Sequence, residues 1–248
     1  MKMARRPCLE SITPYVPGKP IEEVERELGL TDVVKMASNE NPLGPSPLAV
    51  EAIKEYLPKI SLYPDGNSYY LKKALADRFG LEENNIVIGN GADELIILLG
   101  AAYLNPGDEI IMAQPSFSEY EFSARLMDAV TVRVPSKDYR HDLKAMTEAI
   151  TAKTKIVYVC NPNNPTGTII THEELQQFLK ELPPGVLVVI DEAYYEYVED
   201  SSFPRSLEFM EKGYNVLILR TFSKIYGLAG LRVGYGMAKE EIIADLNT

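Results

Sequence analysis

One lysine, Lys224, stands among hydroxyls and small residues in "RTFSKIYGLAGLRVGYG", directly after the apolar run "NVLIL". A lysine at the end of a buried strand, in surroundings apolar enough to depress its pKa, becomes a neutral amine that can condense with an aldehyde to a Schiff base. A surface lysine capping backbone carbonyls is the plainer alternative. Asp191, in "VLVVIDEAYYEY", occupies another strand end. A carboxylate there suits the protonated nitrogen of a pyridine ring acting as an electron sink; the alternative is a loop acid or helix cap. "GNGADE" adds donors for a phosphate: Gly89 and Gly91 permit a tight turn, and a helix beginning near Ala92 offers free N–H groups and a favourable dipole. Thr221, Ser223 and Arg232 supply two hydroxyls and a guanidinium fork for the same anion. Arg232 in a structural ion pair is the competing reading.

These residues need elements that bring them together. Continuous Val/Ile/Leu runs in "DEIIMAQPSF", "KIVYVCNPNNPTG", "VLVVIDEAYYEY" and "NVLILRTFSK" alternate with helical segments such as "THEELQQFLKEL". That pattern predicts strands buried on both faces of a mostly parallel sheet flanked by helices, an α/β/α sandwich. "NIVIGNGADELIILLGAAYL" reads as strand, glycine turn and helix, and "IEEVEREL" as a short amphipathic helix stopped by Gly29. Ligands of open α/β sheets bind beyond the carboxyl ends of the strands. Asn161 to Thr166, Asp191 to Tyr194 and Thr221 to Lys224 all fall at such ends, so three polar groups are expected at one rim.

Composition narrows the classes. The 248 residues are 46% apolar and 25% charged, enough to bury a full core. A net charge of -11 opposes general affinity for nucleic acid or anionic lipid. The longest apolar stretch, "LIILLGAAYL", is too short to span a bilayer, and the opening "MKMARRPCLESITPY" has no apolar core of a secretory signal. Cys8 and Cys160 match no metal or redox spacing, and with His141 and His172 they suggest no metal site; a reducing cytoplasm is the expected location.

"SNENPLGPSP", "YPDG", "GNGADELI", "NPNNPTG", "DEAYYEY" and "TFSKIYGLAGLRVGY" together resemble the class I and II family of fold-type I pyridoxal phosphate aminotransferases. Within it, their order and spacing are most similar to the histidinol-phosphate subfamily. The resemblance implies pyridoxal 5'-phosphate as cofactor, with Lys224 as its covalent anchor and proton shuttle and Asp191 on its ring nitrogen. Asn164 and Tyr194 resemble the groups that bond the phenolic oxygen. Ala92, Asp93, Thr221, Ser223 and Arg232 resemble the phosphate ligands. Phe117 falls where the family places a ring over the pyridine, often tyrosine, and Tyr63 resembles a tyrosine reaching the neighbouring site of a homodimer. In themselves Phe117 and Tyr63 read as ordinary core aromatics. Tyr15 and Asn41 are substrate-side candidates by position, and a packing role suits them as well.

The implied reaction moves an amino group between a small-molecule donor and a 2-oxo acid: histidinol phosphate with 2-oxoglutarate gives imidazole acetol phosphate and glutamate. A threonine-phosphate decarboxylase or an aromatic aminotransferase uses the same rim, and a non-catalytic cofactor-binding or dimerisation module is the alternative from another class. Residues 1–33 are expected to form an arm and 34–248 the cofactor-binding large domain. The resemblance implies a smaller C-terminal domain carrying a substrate arginine; none is assignable before Thr248, so that domain is expected to be absent and turnover impaired.

Overall fold

Seven strands form one sheet in the order β1-β7-β6-β5-β4-β2-β3. The structure, a computed structural model, describes residues 3, 5–10, 12 and 18–248. In chain order it runs α1 (Ile21–Leu28), α2 (Pro47–Tyr56), α3 (Tyr69–Phe79), β1 (Ile86–Asn90), α4 (Gly91–Tyr103), β2 (Glu109–Gln114), α5 (Glu119–Leu126) and β3 (Val130–Pro135). It continues with α6 (Leu143–Glu148), β4 (Thr154–Cys160), α7 (His172–Glu181), β5 (Leu187–Asp191), α8 (Ser206–Glu211), β6 (Val216–Thr221), β7 (Val233–Ala238) and α9 (Glu240–Leu246). The expected mostly parallel α/β/α sandwich is present. β7 runs antiparallel to its neighbours, β1 and β6, and the other described pairings are parallel.

Side chains of successive strand residues point to opposite faces, and both faces here are apolar. Along β5, Val188 and Ile190 pack with Leu175, Phe178 and Phe209 of α7 and α8. Leu187 and Val189 join Leu95, Ile96 and Leu99 of α4 and Ile242 of α9 on the other side. Burying each such side chain contributes about 1.5–3 kcal/mol. β4, β5 and β6 are accordingly near-continuous apolar runs, buried along almost their whole lengths.

Local signals set several boundaries. Thr171 Oγ1 accepts from Glu174 N at 3.2 Å while Glu174 Oε2 accepts from Thr171 N at 2.7 Å, a reciprocal cap that starts α7. Gly29 ends α1 in the left-handed region, as expected from its sequence. β7, "VGYGMA", carries two glycines and is not among the strands expected from the sequence. A side chain at Gly234 would collide with the backbone N of Ala92, so glycine is what lets β7 lie against the start of α4.

The direction of strand order reverses between β4 and β2. From β4 the chain steps outward to β5 and β6, while β2 steps the other way to β3. Such a reversal opens a crevice at the carboxyl ends of the strands. The segments leaving β2 and β4 there carry Phe117 and Asn164.

Candidate active site

A cavity of about 680 Å³ lies at this crevice, lined by Ala92, Asp93, Phe117, Asn164, Asp191, Tyr194, Thr221, Ser223, Lys224 and Arg232. Ten of the thirteen site residues read from the sequence therefore meet in one place. Of the other three, Tyr63 and Asn41 do not line it. Tyr63 is fully exposed. Asn41 donates to Ile225 O at 2.7 Å and accepts from Leu43 N at 3.0 Å, so its amide holds the backbone just beyond Lys224. Tyr15 lies outside the described residues.

Asp191 ends β5 and is 3% exposed. Burial pushes its carboxyl above the usual range, opposed by donors from Tyr120 and the Ala193 backbone. Tyr120 Oη donates to Asp191 Oδ2 at 2.6 Å, and Ala193 N to Oδ1 at 3.1 Å. The Tyr120 ring stacks on Tyr158 with centroids 4.3 Å apart, which fixes its hydroxyl beneath the carboxylate. A buried carboxylate so held is ready for a cationic partner from the cavity side.

Lys224 follows β6 in a turn closed by Gly227 N bonding Lys224 O at 3.0 Å. Burial lowers its pKa; Asp93 and Asp191 oppose the shift, and Arg232 reinforces it. Among the described residues no hydrogen bond or ion pair holds its ammonium group; Nζ lies 5.6 Å from the centroid of the Tyr194 ring. A half-buried lysine whose pKa is lowered by desolvation is chemically able to act as a nucleophile.

A corner with donors suited to an anion is built from three elements. At the start of α4 the N–H groups of Ala92 and Asp93 have no carbonyl one turn back to bond. Thr221 Oγ1 and Ser223 Oγ, 3.0 Å apart, are both buried, and Arg232 Nη1 lies 3.5 Å from Ser223 Oγ. Arg232 itself has a left-handed backbone, φ 55°, and pairs with Asp93 at 3.1 Å. Gly91 adopts φ +77°, and a Cβ there would stand 2.6 Å from Arg232 Nη2. Glycine thus brings the guanidinium against the helix start, as a phosphate cradle requires.

Sequence reasoning missed several contributors. Tyr120 carries no local signal beyond its spacing of three from Phe117, yet its hydroxyl bonds Asp191. Asn39, two positions before Asn41, lines the cavity, and its Nδ2 donates to Tyr194 Oη at 2.7 Å. Asn163 is fastened by Ser116 Oγ at 2.9 Å and His141 Nε2 at 3.3 Å, which locks the loop presenting Asn164. Burial lowers the His141 pKa to about 4, so the ring is neutral near pH 7. Behind Asp191, Glu192 and Arg220 form a buried ion pair at 2.8 Å, and the guanidinium lies 3.5 Å from the Tyr195 ring centroid. That pair anchors the loop carrying Tyr194.

The family model for aminotransferase class I and II matches residues 31–248. A histidinol-phosphate aminotransferase of Moorella thermoacetica is 61% identical over 243 residues, which are 98% of this chain and 63% of that protein. Histidinol-phosphate aminotransferase 2 of Carboxydothermus hydrogenoformans is 51% identical over 98% of this chain and 67% of its own length. The crystal structure of histidinol-phosphate aminotransferase from Sinorhizobium meliloti, in complex with pyridoxal-5'-phosphate, superposes with a TM-score of 0.90 at 29% identity, covering all of this chain and 66% of that one. The chain thus spans 63% of the length of its Moorella relative. With a match that leaves out only the first thirty residues, the chain belongs to the class I and II aminotransferase family.

Proposed function

We propose that this chain works as a pyridoxal 5'-phosphate-dependent aminotransferase, transferring the amino group of histidinol phosphate to 2-oxoglutarate and yielding imidazole acetol phosphate and glutamate. The observation that carries the reading is the convergence of a half-buried lysine, a buried aspartate and a helix start with hydroxyls and a guanidinium on one cavity. The donor set fits the cofactor: two hydroxyls, a guanidinium and free helix N–H groups for a phosphate, and a carboxylate well away in sequence for a ring nitrogen. The relatives' names support the choice of donor substrate.

When bound, the cofactor supplies an electron-withdrawing ring that stabilises negative charge on the substrate carbon. Asp191 would hold the ring nitrogen protonated, and its bond from Tyr120 keeps the carboxylate oriented. Arg232, Ser223, Thr221 and the start of α4 would grip the phosphate, with Asp93 steadying Arg232. Phe117 would pack on the ring face; its own ring meets Tyr120 edge-on at 5.6 Å. Asn164 and Tyr194 would bond the phenolic oxygen. Lys224 Nζ, its pKa depressed by burial, would hold the cofactor's aldehyde group and would take up and return the proton at the substrate carbon.

The same reading takes residues 1–33 as an arm and 34–248 as the cofactor-binding large domain of a cytoplasmic homodimer. Among the described residues no helix is long and apolar enough to cross a membrane. Tyr63 is fully exposed beside Ile60 and Leu62, 72% and 68% exposed, which supports a partner subunit covering this stretch and receiving Tyr63 at its phosphate. The test is direct. Borohydride reduction of the chain with pyridoxal phosphate, followed by peptide mapping, should label Lys224. Glutamate formation should then be faster from histidinol phosphate than from aromatic donors. Label on a different lysine, or none at saturating cofactor, would sink the assignment.

A further inference from the structure

Residues 37–40 line the cavity although they precede its strands by some fifty positions. This strap is tied at two points, by Asn39 Nδ2 to Tyr194 Oη and by Asn41 Nδ2 to Ile225 O, each 2.7 Å. Both anchors sit beside groups already given roles, Tyr194 itself and the residue following Lys224. An amide nitrogen has only donors to offer. In the first bond the Tyr194 oxygen therefore accepts, and its own proton remains to be given elsewhere. Asn39 also lines a second pocket, of about 470 Å³, with Pro162, Gly167 and Tyr197, so it stands in the wall between the two spaces.

We propose that Asn39 is a positioning residue for amino transfer, which, by donating to Tyr194 Oη, directs the Tyr194 proton into the cavity toward the ring oxygen of the bound cofactor. The proposal rests on the cofactor reading above. A phenol whose oxygen accepts a hydrogen bond is a stronger donor through its own hydrogen, because the two bonds polarise one another. Asn39 thus favours negative charge on the cofactor's phenolic oxygen without touching it. The other groups acting on Tyr194 are Asp191, Cys160 and Tyr197, together with Lys224 against its ring, and none of them changes when Asn39 is replaced.

The experiment titrates the absorbance of pyridoxal phosphate bound to the full chain, in the parent, Asn39→Ala, Tyr194→Phe and the double variant. Asn39→Ala should move the apparent pKa up by about half a unit, roughly three-fold in proton affinity, the scale of one neutral hydrogen bond. Tyr194→Phe should move it further. The double variant should match Tyr194→Phe alone, because Asn39 acts through that hydroxyl. Asn39→Asp, which when ionised draws the Tyr194 proton to itself, should exceed the alanine shift. Asn39 is exposed, so thermal unfolding should be little altered in either replacement. An unchanged titration in Asn39→Ala, or an Asn39 effect that persists without the Tyr194 hydroxyl, overturns the proposal while leaving the cofactor reading intact. A parent chain with no bound chromophore and no label on Lys224 overturns both.

Discussion

The floor and the rim of the cavity are built on opposite plans. On the floor, Asp191, Thr221 and Ser223 sit at or just past strand ends and are buried, each held by hydrogen bonds to neighbouring groups. On the rim, Asp93 and Arg232 have side chains 51% and 44% exposed, and Asn39 belongs to a strap held by two side-chain bonds. Floor groups act in a low-dielectric setting where each contact is strong; rim groups compete with water. Chemistry that separates or moves charge belongs on the floor, and adjustable grip belongs on the rim. Lys224 spans the two, half-buried and held by neither.

Removing the bridging group should do most. Lys224→Ala is expected to abolish borohydride labelling and to slow amino transfer by about 10²–10⁴-fold, the range for loss of a positioned acid–base group. Circular dichroism should show an unchanged fold, since no hydrogen bond or ion pair depends on that amine among the described residues. The pH profile sharpens the point. Burial depresses the Lys224 pKa below 10.5, so capture of pyridoxal phosphate by the cofactor-free chain should reach half its limiting rate at a pH below 10.5. A midpoint at or above that value would place Lys224 with ordinary surface lysines.

Asp191→Asn tests the floor. It should slow the amino-transfer half-reaction by about 10²–10³-fold, comparable with loss of a preorganised electrostatic contact, while phosphate-dependent retention of the cofactor largely survives. Stability of the cofactor-free chain should respond in the opposite sense. Burial raises the folded-state pKa of Asp191 above 3.8, so its stabilising contribution is complete below about pH 3.8 and is lost as pH rises through the folded value. The asparagine variant, which does not ionise, should therefore gain in relative thermal stability across that window. A relative stability that falls across the window contradicts a carboxylate strained by burial.

Rim replacements should be smaller and more separable. Arg232→Gln is expected to weaken cofactor binding by about 1.5–3 kcal/mol, one to two powers of ten in Kd, as measured by fluorescence titration. The same change should cost the cofactor-free chain less than about 1 kcal/mol, because its pairing with Asp93 is solvent-exposed. Asp93→Ala should do least, about 0.2–1 kcal/mol in urea unfolding, and its cost should shrink with added salt. If Asp93→Ala proved as damaging as Asp191→Asn, the division between floor and rim would fail.

Much of this was legible in the residues themselves. Apolar runs dictated which strands would be buried on both faces, because a strand with no polar side can only lie between two layers. Polar clusters directly after those runs marked the strand ends, and parallel strands put their carboxyl ends on one side, so Lys224, Asp191 and Asn164 were bound to meet. Gly91 before "ADE" announced the helix start that the structure uses. The strand β7 was hidden by its glycines, which serve contacts with α4 that no local pattern encodes.

What only the tertiary structure decided is who holds whom. Tyr120 and Asp191 are separated by 71 positions, and Asn39 and Tyr194 by 155. No periodicity connects residues that far apart, since such bonds depend on how layers and loops pack after the sheet has formed. Asn39 and Asn41 are the same residue type two positions apart in one strap. Sequence chemistry treats them alike; the path of the backbone over the Lys224 turn sends one amide into the cavity and the other to a carbonyl beneath it. Residue types determined the chemistry this chain can hold, and packing chose the atoms that aim it.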